Sequence, residues 1–315
     1  MQSLTPSFIL EEIAMAVNYR KFERDDRMPV YRLFRESVWD YMLQHGIAGP
    51  EDEYDLDEYF DQQKDLYIHL EETASEDWVA EGDNGELLGW ARSIERDEHL
   101  QLTHFFVAPG SQGGGVGRGL LERAFPLGRG QQRSIIATTN TRALSLYLRQ
   151  DVGFQGMAFS IYGKPRVREF ETTLEVEPTE ASPTTLENIM QIDSRVLGYQ
   201  RPQDLEYFMH RQPVFLLRDN GRLVGYAFGC DEYSAGPAAA LEPSHLPVLL
   251  DQIERSACDA NLDSLWLAIP AAAHHAVDWA LSRGYRIDPF HEVLLAKQPT
   301  MQFDRYIMTQ SAFIW

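Results

Sequence analysis

The sequence predicts two successive α/β domains built to one plan. Three observations carry this. The chain is 315 residues long, which is long for one compact core and suits two domains of ordinary size. Apolar periodicity switches repeatedly between a strand-like period of two and a helix-like period near 3.6. The second half also echoes the first: Asn84-Gly85-Glu86-Leu87-Leu88-Gly89-Trp90 returns as Asn220-Gly221-Arg222-Leu223-Val224-Gly225-Tyr226. Val152-Gly153-Phe154 returns as Arg283-Gly284-Tyr285.

The elements follow in order. In the first half, Ala14 to Glu23 reads as a strand, and Asp25 to His45 and Leu56 to Glu72 as helices. Trp78-Val79-Ala80 and Leu87 to Ile94 are strands flanking the turn signal Gly82-Asp83-Asn84-Gly85. Leu100 to Val107 is the next strand. A glycine-rich loop then leads to a helix from Val116 to Leu127, a strand from Ser134 to Thr139, a helix from Arg142 to Gln150 and a strand pair from Phe154 to Tyr162. The join is expected near Pro165 to Glu171, dividing the chain into residues 1–165 and 166–315.

Beyond the join, Thr172 to Val176 reads as a strand, and Pro183 to Leu197 and Pro202 to Arg211 as helices. Val214 to Leu217 and Leu223 to Phe228 flank the hairpin signal Asp219-Asn220-Gly221. Ala238 to Leu241, a helix from Leu246 to Ala260, the strand Leu265 to Ile269, a helix from Ala272 to Arg283 and the strand Val293 to Ala296 complete the repeat.

Composition narrows the function. Hydrophobic residues at 44% and charged residues at 24% are those of a globular protein. A formal net charge of −20 argues against nucleic acid as a partner, because phosphate contacts need clustered Lys and Arg. No apolar run approaches the roughly 20 residues of a membrane span, and no secretory leader is seen, so no membrane partner is expected. The two cysteines, Cys230 and Cys258, have no metal-like spacing, and the nine histidines form no HExxH pattern. A reducing, cytoplasmic setting and no metal are therefore expected. Eight acids crowd Glu51 to Asp65 against one base, Lys64. That run reads either as a solvated face or as a funnel for a cationic substrate.

The most informative stretch is Phe106-Val107-Ala108-Pro109-Gly110-Ser111-Gln112-Gly113-Gly114-Gly115-Val116-Gly117-Arg118-Gly119. A strand enters a glycine-dense loop that opens directly into a helix. Glycines allow close approach to a ligand, and successive N–H groups at a helix N-terminus attract an anion. The dinucleotide fingerprint GxGxxG fails, since Arg118 stands three beyond Gly115 and Leu120 three beyond Gly117. The nucleotide loop GxxxxGK[ST] fails for want of Gly-Lys.

The pattern met instead is Q/R-x-x-G-x-G/A, through Gln112, Gly115 and Gly117. With Asn140, Ala143, Leu146-Tyr147 and Gly153-Phe154 after the next strand, it resembles the GCN5-related N-acetyltransferases. The resemblance implies tandem domains of mixed, mainly antiparallel sheet flanked by helices, with acetyl-CoA as co-substrate. Its pyrophosphate would lie on Gln112, Gly113, Gly114, Gly115, Val116, Gly117 and Arg118, and its thiol beside Asn140 and Ala143. Phe106 and Val107 would offer backbone donors to the thioester carbonyl, and Tyr147 a proton to the departing thiolate. A primary amine, as a small molecule or in a peptide, would attack directly, and a homodimer is compatible with the family.

Two departures stand out. Gly153 lies six residues past Tyr147 where four are usual, so the helix is expected to be longer or to end differently. The acids that precede Phe-Phe-Val in similar polyamine acetyltransferases are replaced by Thr103 and His104. His104 is then either the catalytic proton acceptor or a hydrogen-bonded structural histidine.

In the second half the loop is replaced by Leu241-Glu242-Pro243-Ser244-His245-Leu246-Pro247, and the position of Asn140 by Pro270-Ala271-Ala272-Ala273. Prolines remove donors that a phosphate cradle needs. This half is expected to have lost cofactor binding. A non-catalytic acyl-CoA sensor, or a protein-interaction module, is the competing reading, and Tyr147 separates them, since a sensor needs no proton donor.

Overall fold

The computed structural model describes residues 17–49, 56–231 and 235–309, with the side chains of residues 56–59 left aside. Each periodicity finds its element. Strand β1 (Asn18–Lys21) precedes helices α1 (Arg27–Gln44) and α2 (Leu56–Glu72). Strands β2 (Ala74–Glu81), β3 (Leu87–Arg96) and β4 (His99–Val107) form an antiparallel meander. Helix α3 (Val116–Ala124), strand β5 (Gln132–Ala137), helix α4 (Thr141–Tyr147) and strand β6 (Gly153–Gly163) complete the first half.

The second half runs β7 (Glu175–Thr179), α5 (Pro183–Leu197), α6 (Pro202–Met209), β8 (Val214–Asp219), β9 (Arg222–Phe228) and β10 (Ala238–Ala240). Helix α7 (Leu246–Asp259), β11 (Leu265–Pro270), α8 (His274–Ser282), β12 (Arg286–Ala296) and a two-residue strand β13 (Tyr306–Ile307) follow. Local chemistry sets several boundaries. Helix α5, for example, starts at Pro183 behind Ser182, whose hydroxyl accepts the Thr185 N–H at 3.1 Å.

The sheets do not respect the join in the chain. One sheet has the order β1-β2-β3-β4-β5-β12-β6-β11, and the other β13-β10-β9-β8-β7. Strand β12, from the second half, lies between β5 and β6 of the first, pairing Val293 with Ala137 and Glu292 with Ala158. Strand β6 in turn lies between β12 and β11, both from the second half. Each half thus lends the other a central strand. The expected strand pair over Phe154 to Tyr162 is one continuous strand, and its missing neighbour is β12.

Three further expectations are corrected. Strand β7 starts at Glu175 rather than Thr172, and β12 extends back to Arg286 because β6 pairs with it along most of its length. Helix α4 ends at Tyr147 instead of reaching Gln150. The Arg149 and Gln150 N–H groups bond three residues back, and Asp151 turns the chain at φ 58°. The extra residues before Gly153 therefore lie in a tight turn after the helix and do not lengthen it. Of the first predicted strand, Ala14 to Ala16 lie outside the described residues.

Between the halves lies a shared core. Leu66 and Leu70 of α2 pack in one cluster with Ile189 and Ile192 of α5, Phe208 of α6 and Leu294 of β12. Buried charge crosses the same seam. Arg96 of β3 holds Asp204 of α6 in a two-bond pair at 2.9 Å, and His69 Nε2 bonds Asp204 at 2.6 Å. Burial pushes the Asp204 carboxyl up, but the His69 and Arg96 hydrogen bonds outweigh it and hold it below its ordinary value.

Candidate active site

The candidate site is built where β4 and β5 part. These two strands pair in parallel only from His99–Gln132 to Leu102–Ile135. Beyond that, β4 continues to Val107 and β5 to Ala137 with no further pairs between them. The cause lies at Thr103. Across β3, Arg92 pairs with His104 but Ser93 pairs with Leu102, so Thr103 is the extra residue of a β-bulge. A bulge bends and twists its strand, and here it swings the end of β4 away from β5.

At the end of β4 the chain makes a 3₁₀ turn, Pro109–Ser111, and enters the glycine loop. Gly113 and Gly115 have φ of 98° and 88°, a left-handed backbone that other residues rarely adopt. A Cβ added at either would meet nothing within 4 Å, so open space lies beside the backbone there. Gly117 and Gly119 serve packing instead. A Cβ on them would come within 3.0 Å of Phe105 Cζ and 2.2 Å of Tyr19 Oη.

Among the described residues, the N–H groups of Gln112 to Gly115 find no backbone acceptor, and the first intrahelical bond of α3 is Gly119 N–H to Gly115 C=O at 3.1 Å. The first N–H groups of the helix are therefore also unspent. Val116 contributes only its backbone, since its side chain is buried with Ala80, Leu88 and Leu120. The result is a run of donors at the positive end of a helix dipole, with the exposed cation of Arg118 beside it.

The loop and α4 are tied together. Gln112 donates to the Val107 carbonyl at 3.4 Å and accepts from Arg142 Nη1 at 3.2 Å. Arg142 thus brings a second guanidinium to the loop. Sequence reasoning missed it, although its place two residues past Asn140 was a usable signal. Asn140 caps α4, its Oδ1 accepting the N–H groups of Arg142 (3.0 Å) and Ala143 (3.1 Å). The Ala143 N–H is thereby used up.

Of the two backbone donors expected on β4, one faces the opening. The Ala108 N–H bonds Leu88 on β3 at 3.0 Å. Strand alternation then points the Phe106 N–H at β3 as well and the Val107 N–H into the cleft. The Gln112 bond to the Val107 carbonyl agrees with this.

Tyr147, the last residue of α4, is buried with Phe105 packed edge-on at 5.5 Å. Burial pushes its phenol above the ordinary value, so it stays protonated at neutral pH. His104 lies on the opposite face of the sheet, 1% exposed, with ring centroids 4.4 Å from Trp90 and 5.0 Å from Tyr67. The Thr103 hydroxyl donates to the Arg92 carbonyl at 3.1 Å, so it must accept from His104 Nδ1 at 3.0 Å. That fixes the proton on Nδ1 and the lone pair on Nε2. Burial, and then the nearby Arg92 cation, push the imidazole well below its ordinary pKa. His104 is a neutral, weakly basic ring in an aromatic cluster. Of the two sequence readings of His104, the geometry favours the structural one.

Much of the acidic run lies outside the described residues: positions 51–55 entirely, and 56–59 in their side chains. Of the rest, Asp61 pairs with Lys64 at 2.8 Å and Asp65 with Arg211 of α6. Tyr41 of α1 reaches the site, its hydroxyl 2.7 Å from Thr139 Oγ1 just past β5.

Among the described residues, the second half shows no such opening. Between β10 and β11, the pair that corresponds to β4 and β5, the chain threads its own residues 306–308. Tyr306 and Ile307 pair with Ala239 and Ala238, and Met308 bridges Ala268. The segment is fully buried. Among the described residues, no group of three or more His, Cys, Asp or Glu could hold a metal, and no helix is long and apolar enough to cross a membrane.

Comparison with known proteins bears on the fold that carries this site. Residues 32–154 match the family model of the Acetyltransferase (GNAT) family. Among solved structures, a Pyrococcus horikoshii protein assigned as an acetyltransferase superposes with a TM-score of 0.63 at 16% identity, covering 92% of each chain. A GCN5-related N-acetyltransferase from Sphaerobacter thermophilus gives 0.59 at 14% identity, over 89% of this chain and 95% of that one. A tandem GNAT protein from the clavulanic acid biosynthesis pathway gives 0.52 at 11%, over 89% and 98%. These identities speak for a shared fold alone. No curated protein sequence matches the chain.

Proposed function

From the match of residues 32–154 to the Acetyltransferase (GNAT) family model, we propose that the protein transfers an acetyl group from acetyl-CoA to a primary amine, with residues 1–165 catalytic and 166–315 a degenerate partner domain. One observation carries the reading. A run of unspent N–H groups, with open space at Gly113 and Gly115, lies beside the cleft between β4 and β5.

The loop from Gln112 to Arg118 receives the pyrophosphate, with Arg142 adding charge and Gln112 tying loop to cleft. Bound there, acetyl-CoA supplies the reactive thioester. The Val107 N–H, left unpaired with β3, would polarise the thioester carbonyl, where one well-aimed donor contributes about 3–4 kcal/mol. Asn140 and Ala143 shape the start of α4, and Tyr147 holds a proton for the thiolate. His104, neutral and weakly basic, serves as a wall and hydrogen-bond acceptor. The acidic run and Tyr41 favour a cationic acceptor, drawn in by charge. The competing reading as a sensor gives Tyr147 no task.

The test is Gly114→Asp. A Cβ at Gly114 meets only the Ser111 carbonyl, at 4.0 Å, so the fold accepts the change. The new carboxylate would lie about 5 Å from a bound phosphate, a repulsion of about 1–3 kcal/mol between surface and half-buried limits. Acetyl-CoA affinity should fall roughly 5- to 150-fold, read by calorimetry or thermal shift. An unchanged affinity puts the pyrophosphate elsewhere and removes the basis of the reading.

A further inference from the structure

Resting on the acyl-transfer reading, a further assignment starts from strand β12. Its last pair with β5 is Val293 with Ala137, so β12 runs on past the end of β5, and Glu292 stands level with Thr138. Neighbouring side chains fix where Glu292 faces. Leu294 packs in one cluster with Ala158 and Ile136, and Glu292 pairs across with Ala158. By alternation, Glu292 shares their face of the sheet. Phe290 packs at 6.0 Å from Tyr41 of α1, whose hydroxyl holds Thr139. Glu292 therefore lies on the sheet face that carries Leu294, two strands from His104 of β4 and just beyond the end of β5.

The Glu292 side chain is 8% exposed, and its Oε2 has no hydrogen-bond partner among the described residues. A buried carboxyl with an unused oxygen is costly to keep. Among the described residues, no Lys or Arg forms an ion pair with it. Burial first, and the charge of Asp288 on its own strand second, push its pKa up to about 8, partly offset by its own backbone N–H. Among the described residues, titratable rings on this side include His45 against Tyr41 at 4.1 Å and His104 against Tyr67 at 5.0 Å.

We propose that Glu292 is the proton acceptor for the attacking amine, delivered into the first-half site by a strand of the second half. The Glu292 carboxylate takes one proton from the acceptor ammonium, directly or through one water. The freed lone pair forms the C–N bond as the C–S bond breaks. The thiolate takes the Tyr147 proton, the amide nitrogen's remaining excess proton passes to the tyrosinate and restores it, and Glu292 then releases its proton to solvent. This supplies the base that Thr103 and His104 fail to provide. A group titrating near the working pH is the effective one, and the depressed His104 is not.

The experiment compares wild type with Glu292→Gln and Glu292→Asp. Each is assayed with acetyl-CoA and spermidine, a lysine peptide and glucosamine, following thiol release from pH 6 to 10. The glutamine variant should lose about 10²-fold or more in kcat/KM while keeping the thermal shift by acetyl-CoA. Its loss should shrink at high pH, where the amine arrives already deprotonated. Aspartate should fall between the two, and answers the question if the glutamine variant does not fold. A wild type that releases no thiol with any amine overturns the acyl-transfer reading and this assignment together. An active wild type, matched in rate and pH profile by the glutamine variant, overturns the assignment alone.

Discussion

Replacing Glu292 by glutamine should change how stability depends on pH, whatever the acceptor is. Folding carries this carboxyl from an ordinary value of 4.5 to about 8. Below pH 4.5 it is protonated in both the folded and unfolded chain and adds no pH dependence. Between pH 4.5 and 8 the unfolded chain loses the proton while the folded one keeps it, so wild-type stability falls as pH rises. Above 8 both forms are ionised and the loss levels off. At about 1.4 kcal/mol per pKa step, the full loss is at most ~5 kcal/mol. The glutamine variant lacks this contribution, and the other titrating groups cancel in the comparison. Its stability relative to wild type should therefore climb by about 2–4 kcal/mol from pH 5 to pH 8, measured by urea unfolding at both pH values. A difference that stays constant to within 0.5 kcal/mol or so would mean that Glu292 ionises normally, and the case for it as a buried base would fall.

Tyr147→Phe should lower kcat by roughly 10²- to 10⁴-fold while acetyl-CoA affinity changes less than about twofold, because it removes a proton and almost no volume. Equal kcat in both would reduce Tyr147 to packing. Asp204→Asn should cost about 3–5 kcal/mol of stability, because it strands Arg96 in the seam between the halves, where the two side chains are 3% and 1% exposed. Denaturation showing a cost under about 1 kcal/mol would mean that the seam does not depend on this pair.

The chain order of strands and helices, and the glycine loop, were legible because their causes are local. Backbone periodicity, turn residues and the spacing of Gln112, Gly115 and Gly117 act over a few residues, and a linear reading recovers them. The loss of the glycine loop from the second half was legible for the same reason, since Pro243 and Pro247 delete donors wherever the chain goes. The tight turn after Tyr147 was only half legible. The spacing to Gly153 flagged a departure, but the left-handed Asp151 in the turn after the helix carries no glycine to announce it.

What tertiary structure alone decided is which strands meet. Nothing near Glu292 says that β12 enters the sheet of the other half, because pairing between distant strands is selected by the fit of whole faces. The same holds for Tyr306–Met308, whose few residues gain their place only by filling a cleft built from β10 and β11. His104 reads equally as a base or as a structural histidine until burial among Trp90 and Tyr67 depresses it, and nothing in the sequence singles out Glu292, whose carboxyl burial raises. Both shifts have one physical cause. A side chain's charge state depends on the solvent it keeps, and that is set by the packing of residues far away in sequence.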